Sequence, residues 1–191
     1  MNRKLMRWTL LGLIALVALA ALAPALLKAA GITITRSTDT GSHKATATLT
    51  EGWCKANGVA IVVDFGAGSG KPAVIRCLAS FRGTGWQALE QAGLKPAGTA
   101  QYAVGFVCRL ANFPPQSRQD CANTPTYAQG VWSYYIAGPR TGNHWMFSGA
   151  GAASRKPECG SVEGWVFITE ADSANRNGPS TEPQTRICDA K

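Results

Sequence analysis

Between positions 58 and 65 the chain reads Gly58-Val59-Ala60-Ile61-Val62-Val63-Asp64-Phe65, an apolar run rich in β-branched residues. Such a run predicts a buried β-strand, because branched side chains suit the pleated surface of a sheet. A glycine-rich stretch at residues 66–72 follows, and then a short apolar segment at residues 73–77. Glycine supplies the positive φ angles that turns require. The three segments together therefore predict a β-hairpin.

One helix is predicted after this hairpin. Thr84 and Gln87 have the spacing of a capping box, in which each side chain bonds the backbone N–H of the other residue. Apolar residues recur at helical spacing as far as Ala92, and Gly93 marks the end. Further strands are predicted at residues 104–110, 131–137, 145–148 and 162–168. Because one helix cannot cover both faces of a sheet, we predict an α+β fold with the helix packed on one face of a mixed sheet.

Two segments of the second half carry a family resemblance. They are Val131-Trp132-Ser133-Tyr134-Tyr135-Ile136 and the stretch from Gly149-Ala150 to Gly160-Ser161-Val162-Glu163-Gly164-Trp165-Val166-Phe167. The helical segment Gly85-Trp86-Gln87-Ala88-Leu89 fits the same pattern. This pattern resembles the signature of a β-grasp family, the secreted bacterial domains similar to the C-terminal domain of transcobalamin.

The resemblance covers about residues 58–168, and Ser161 stands where that family has an aspartate. It implies a β-grasp fold and an extracytoplasmic binding role. It transfers no corrinoid site, because no established ligand residues of the family fall on positions of this chain.

The first 27 residues have the pattern of a targeting segment. Arg3, Lys4 and Arg7 precede an apolar stretch at residues 9–27. This arrangement is typical of a signal peptide, with a candidate cleavage site after Ala25. The stretch is also close to the roughly 20 residues that span a bilayer, so a cleaved signal and an uncleaved membrane anchor both stay open. In either case the rest of the chain is predicted to be secreted or extracytoplasmic, since the basic end stays in the cytoplasm.

Six cysteines follow this segment, and export predicts that they form disulfides, which persist in oxidising compartments. The chain has no Cys-x-x-Cys motif, and its two histidines, His43 and His144, lie about a hundred residues apart. The spacing therefore favours neither a redox motif nor a zinc site. The predicted pairs bracket the hairpin, close a proline-bearing loop and, by elimination, tie the C-terminal segment to the domain: Cys54 with Cys77, Cys108 with Cys121, and Cys159 with Cys188.

Composition divides the exported part into three regions. Residues 28–53 are rich in Thr, Ala and Ser and predict either a spacer or short strands. Residues 54–169 form the predicted β-grasp-like domain, stapled by disulfides. Residues 170–191 are a polar C-terminal tail that is too poor in apolar residues to form a core of its own.

Residues suited to catalysis are scarce. The glycine-rich stretch is not a phosphate loop, because Phe65 and Pro72 stand where a glycine and a hydroxyl are required. Asp64 and Glu163 would form an acid–base pair only if the fold brought them together, and His144 has no acid nearby in the sequence. We therefore predict no catalytic residue, metal or cofactor, and a hydrolytic enzyme remains a remote alternative.

Aromatic side chains are the candidate ligand-binding set. Trp132 and Tyr134 share one face of a predicted strand, and Trp145 and Trp165 add bulk on two others. With a helix on one face only, this surface needs a further cover, which could be residues 28–53, an adjoining subunit or a ligand. Since Trp and Tyr combine apolar area with a hydrogen-bonding edge, we predict that these four residues bind a ring-bearing small molecule, a glycan or a protein; packing in the core is the alternative.

The net charge of +8 is not a nucleic-acid signature. Three charges precede the apolar stretch and act in membrane orientation, which leaves +5 on the exported part. Within residues 54–169, Arg155-Lys156 is the only adjacent basic pair, whereas nucleic-acid binders show clustered basic runs. The sequence thus predicts a non-catalytic, exported or membrane-anchored binding module of the cell envelope that captures a small molecule for uptake. A structural or protein-interaction domain of the envelope is the alternative.

Overall fold

The computed structural model describes residues 47–172 and 177–189. The predicted targeting segment at residues 1–27 and most of residues 28–53 lie outside the described residues. Within the described ranges, no helix combines the length and the apolar character that a membrane crossing needs.

Six strands and one α-helix form the described fold, which confirms the predicted α+β class. The strands are β1 (Thr48–Glu51), β2 (Gly58–Asp64), β3 (Val74–Ala79), β4 (Val131–Gly138), β5 (Gly142–Phe147) and β6 (Val162–Ile168). The helix is α1 (Gly85–Gln91), and two short 3₁₀ helices span Ala67–Ser69 and Glu170–Asp172.

The six strands make one mixed sheet with the order β1-β3-β2-β6-β4-β5. The central pair, β2 and β6, is parallel, with Ile61 opposite Glu163. The other neighbours are antiparallel. The first and last strands of the predicted domain therefore meet in the middle of the sheet.

The hairpin and the helix form where the sequence predicts them. Gly66 and Gly70 take φ angles of 79° and 65° at the two ends of the turn between β2 and β3, which L side chains rarely adopt. The Thr84 hydroxyl accepts a hydrogen bond from the Gln87 N–H, and the Gln87 side chain accepts one from the Thr84 N–H. Gly93, which was predicted to mark the end of the helix, has a φ angle of 68°, the left-handed conformation typical of a residue that follows a helix.

One face of the sheet packs against α1 and carries the main apolar core. Trp86 and Leu89 of the helix lie against inward-facing residues of the central strands. Phe113, from the connection that follows the helix, meets Phe65, Trp132 and Phe167 edge-on at ring distances of 4.9–6.2 Å. This is the helix face, built largely from side chains that are less than a tenth exposed.

The opposite face, called the second face below, is covered in part by residues 177–189. The Trp145 indole N–H of β5 donates to the Thr181 carbonyl at 2.9 Å. The indole lies between Gly164 and Gly178, where an added Cβ would come within 2.5 and 2.6 Å of its atoms. Residues 177–189, which belong to the predicted polar tail, thus cover part of the second face. The sequence analysis had named residues 28–53, an adjoining subunit or a ligand as the candidates for such a cover.

All six cysteines are paired, and the pairs are those predicted. The disulfides are Cys54–Cys77, Cys108–Cys121 and Cys159–Cys188. The third pair ties residues 177–189 to the start of β6. Three disulfides are compatible with an extracytoplasmic location.

One open prediction is resolved in part, and one prediction is wrong. Thr48–Glu51, inside the region predicted as spacer or short strands, forms edge strand β1 against β3. The strand predicted at residues 104–110 is wrong: this segment makes only isolated bridges, between Ala97 and Arg109 and between Leu110 and Phe113. Its apolar residues are held by Cys108–Cys121 and the aromatic core instead.

Candidate ligand-binding cleft

A cleft of about 640 Å³ opens at the edge of the sheet, beside the first half of β4. Trp132, Tyr134 and Trp165 form its floor, and its walls come from three connections, at residues 105–107, 125–127 and 149–152. None of the described residues that line it carries a charge. A volume of this size lies within the roughly 300–1,000 Å³ of small-ligand sites.

Three of the four predicted binding residues meet in this floor. The rings of Tyr134 and Trp165 stack at 4.3 Å with an interplanar angle of 9°. The Trp132 indole N–H donates to the Phe113 carbonyl at 3.1 Å. Each of the three residues is less than a tenth exposed, so they pack in the core and offer the cleft only a small part of their surface.

Trp145, the fourth predicted residue, lies on the second face. It is half-buried under residues 177–189 and packs with Val62, Ala137 and Tyr135. The sheet therefore separates it from the other three. Side chains alternate along a strand, so the assignment to a face depends on the strand register, which the sequence did not show.

The rim of the cleft contains aromatic residues that the sequence analysis did not select. Tyr127 is 43% exposed and Phe147 is 68% exposed, and both line the cleft together with Phe106. Phe147 also meets the Tyr135 ring edge-on at 5.6 Å. No spacing in the sequence connects positions 106, 127 and 147.

A buried charged network holds the floor in place. Glu163 is 1% exposed and forms a bidentate ion pair with Arg155, at 2.9 Å from Nε and 3.0 Å from Nη2. The Ser161 hydroxyl donates to the same carboxylate at 3.1 Å, and the Tyr134 hydroxyl donates to it as well. The carboxylate is fully engaged, and the network fixes the Tyr134 ring against Trp165.

Two pKa shifts describe this network. Burial raises the pKa of Tyr134 far above its usual value, and the negative charge of Glu163 raises it further. Burial lowers the pKa of Arg155, but the hydrogen bonds and the charge of Glu163 outweigh burial and leave that pKa raised. The tyrosine therefore stays neutral and the arginine stays cationic at ordinary pH.

The candidate catalytic residues are not brought together. Asp64 lies opposite Val166 in the sheet, three positions from Glu163. Its carboxylate accepts from Gly66 at 2.9 Å and from the Ser180 hydroxyl at 2.6 Å, so it joins the hairpin turn to the C-terminal segment. His144 is exposed on β5. Among the described residues, no group of His, Cys, Asp and Glu is arranged to hold a metal ion.

Comparison with known proteins gives one partial match. The family model described as the SCO2322-like domain matches residues 126–191, about a third of the chain. The matched region begins just before β4 and includes β5, β6 and the C-terminal segment that covers the second face. No curated protein and no solved structure matches the chain.

Proposed function

We propose that this chain is an exported, non-catalytic binding module of the cell envelope and that the cleft beside β4 is its ligand site. The observation that carries the proposal is the cleft itself, which combines an aromatic floor, an exposed aromatic rim and an uncharged lining. The buried network below the floor keeps Tyr134 and Trp165 in one geometry, which is the rigidity that a preformed site needs.

Export is supported by two independent features. The start of the chain has the basic-then-apolar pattern of a signal peptide or membrane anchor. All six cysteines are consumed in disulfides, which reducing compartments do not maintain. The two features agree on an extracytoplasmic domain, either released or held by residues 9–27.

A β-grasp assignment belongs to the same proposal. Without β1, the sheet order is β3-β2-β6-β4-β5, with a hairpin on each side of the central strand β6. In chain order, the first and last strands of that set are β2 and β6, and these two are parallel. Helix α1 follows the hairpin of β2 and β3. This topology supports the fold that the family resemblance implies, with β1 as an added edge strand.

The lining indicates a neutral, largely apolar ligand. A charged ligand would lose its hydration in the cleft without gaining a partner of opposite charge, which is costly. A non-catalytic role is supported because the two best-placed carboxylates, of Glu163 and Asp64, are committed to Arg155 and Ser180. The cleft therefore binds by shape and apolar contact.

Binding of the neutral fluorescent probe N-phenyl-1-naphthylamine tests the site. A Cβ added at Gly149, in the cleft wall, meets no atom within 4 Å, so Gly149→Leu should narrow the cleft without disturbing the fold. Gly68, in the turn between β2 and β3, is equally unobstructed, and Gly68→Leu is the matched control. We expect the control to bind the probe like the unmodified protein and Gly149→Leu to bind it at least tenfold more weakly. Equal binding by both variants would refute the cleft as the site.

A further inference from the structure

Strand β5 runs antiparallel to β4 and leaves the first three residues of β4, residues 131–133, without a partner on that side among the described residues. The register joins Tyr135 to Phe147 and Ile136 to Met146, and the Ser148 N–H donates to the Tyr134 carbonyl at 2.9 Å. After Ser148 the chain turns away toward α1, where the Ala152 carbonyl accepts from the Trp86 N–H. In the described parts of the chain, no strand residue continues this ladder along the first three residues of β4.

The main-chain groups of Trp132 face this gap. Along a strand, the N–H and C=O of alternate residues point to the same side. Since the Tyr134 carbonyl points toward β5, the N–H and C=O of Trp132 point the same way, whereas Ser133 pairs with Val166 of β6. The gap is the cleft, because Trp132, Ser133 and Tyr134 all line it.

A main-chain donor and acceptor at the bottom of a groove require a partner of matching geometry. Trp132 is only 6% exposed, so its main chain does not lie on an open edge where solvent reaches it freely. Buried main-chain polar groups are paired in nearly all folded proteins. The ligand is therefore expected to bring a hydrogen-bond donor and an acceptor as well as apolar surface.

Room for a second main chain is provided by small residues in the cleft walls. Gly105, Gly149, Ala150 and Gly151 line the sides, and an added Cβ at Gly149 would still meet nothing within 4 Å. The uncovered length of β4, three residues, corresponds to roughly 10 Å of strand. An extended peptide of three or four residues supplies main-chain groups at that spacing, and a compact ring molecule does not.

Charge argues against the exposed edge strand of a second copy as the source of that peptide. The other edge strand of the sheet, β1, is exposed along its length but ends in Glu51, which pairs with Arg76 at 3.3 Å. A strand that carries a carboxylate does not suit an uncharged cleft. The segment that binds therefore has uncharged side chains, unlike β1.

We propose that the cleft binds an extended, uncharged peptide segment of a partner protein, which adds to β4 as a strand by pairing with the main chain of Trp132. This inference rests on the proposed function, since it names the ligand class of the same cleft. The aromatic rim holds the apolar side chains of that segment, and the main-chain bonds set its direction.

The probe for this proposal is a pool of neutral, acetylated and amidated heptapeptides, with Val, Leu or Phe at alternating positions and Ser or Thr between them. Peptides retained by the full-length protein are identified by mass spectrometry, with Gly149→Leu as the blocked variant and Gly68→Leu as the control. We expect retention by the unmodified protein and the control, and at least tenfold less by the blocked variant. Equal retention by all three proteins overturns the proposal.

The best-retained peptide then tests the strand geometry. N-methylation of alternate residues removes the N–H groups from one edge of an extended peptide. We expect methylation of one edge to weaken binding at least tenfold and methylation of the other edge to leave it unchanged. The Trp132 amide should exchange with solvent at least tenfold more slowly in the complex. Equal effects of both methylations, or unchanged exchange, overturn the strand pairing.

The outcomes separate this inference from the proposed function. If N-phenyl-1-naphthylamine binds as expected and no peptide is retained, the cleft is a binding site but not for a peptide. If neither the probe nor a peptide distinguishes Gly149→Leu from Gly68→Leu, both proposals fail. Concentration-dependent dimers, with slow exchange at Trp132 in the absence of peptide, would replace the partner protein with a second copy of this chain.

Discussion

The two faces of the sheet are covered by different kinds of chain. On the helix face, α1 and the connection after it bury large apolar side chains such as Leu89 and Phe113. On the second face, residues 177–189 contribute mainly polar residues, and only Pro179 and Pro183 among them are buried. Hydrophobic burial thus stabilises one cover, whereas the other is held by individual hydrogen bonds and a disulfide.

This difference separates global from local stability. Removing a large side chain from the helix face should weaken the whole fold, because its neighbours come from several strands. Releasing the second cover should expose Trp145 and leave the sheet and α1 intact. Regions with few apolar contacts open at a lower free-energy cost than the core.

The largest effect is expected for Trp132→Ala on the helix face. The change removes a buried indole, its hydrogen bond to Phe113 and its edge-on contacts with Phe65 and Phe167. Truncation of a buried Trp costs about 3–5 kcal/mol, so the free energy of unfolding in guanidinium should fall by about 4 kcal/mol. A variant as stable as the unmodified protein would show that Trp132 is not a core residue.

Trp145→Ala is the matched change on the second face. Trp145 is half-buried and loses one hydrogen bond, to Thr181, so we expect a loss of about 2 kcal/mol, from roughly half the apolar burial of a core Trp and one hydrogen bond. Equal losses at the two tryptophans would break the contrast between the faces.

An effect between those of the two tryptophan changes is expected from removal of the Cys159–Cys188 disulfide by serine at both positions. The bond joins residues 29 apart, and closing such a loop stabilises by about 3 kcal/mol through the unfolded state. The slowest amides of the sheet should exchange faster in any variant that loses a disulfide, but amides that exchange by local opening should speed up mainly in residues 177–189. Replacing Cys54 and Cys77, which are 23 residues apart, is the control and should leave the exchange of that segment unchanged. An equal rise in the exchange of residues 177–189 in both variants would contradict a local role.

A moderate effect concerns pH and the network below the cleft. Because burial raises the pKa of Tyr134 above that of the unfolded chain, its contribution to stability is fully present below about pH 10 and is lost as the pH rises further, by about 1.4 kcal/mol for each pH unit. Urea unfolding at pH 8, 10 and 11 measures this slope. Tyr134→Phe should be less stable at pH 8, where it lacks the bond to Glu163, but should show a shallower slope. If the stability of Tyr134→Phe falls with pH as steeply as that of the unmodified protein, Tyr134 is not the cause of the loss at high pH.

The smallest effect is expected at the start of α1. Thr84→Ala removes the hydroxyl that accepts from the Gln87 N–H, and loss of such a cap costs about 1 kcal/mol. Thr84→Ser keeps the hydroxyl and should retain most of the stability. Thermal unfolding of both variants measures the difference. If both variants lose the same amount, the hydroxyl does not contribute through the cap.

The elements that the sequence predicted correctly are those with local causes. The capping box at Thr84 and Gln87, the positive φ at Gly66 and the apolar run of β2 all act within a few residues. The failed strand at residues 104–110 has the same apolar composition as a true strand. A strand also needs a neighbour with unpaired main-chain groups, and that neighbour is distant in the sequence.

The candidate site was predicted only in part, for a similar reason. Trp132, Tyr134 and Trp165 do meet at one cleft, because positions of the same parity on paired strands share a face. Trp145 lies on the other face, because it has the same parity as Phe147, which pairs with Tyr135 of the second face. The rim residues Tyr127 and Phe147 come from segments that only the fold brings together.

The sequence by itself determined the class of this protein: an α+β fold, one capped helix, a hairpin after residue 58 and the pairing of six cysteines. Backbone sterics, side-chain branching and short-range spacing govern the first three features, and the cysteine pairs join residues that are at most 29 positions apart. The tertiary structure decided where β5 leaves β4, how Glu163 is paired and that residues 177–189 cover the second face. These depend on contacts between residues far apart in the chain, which local composition does not encode.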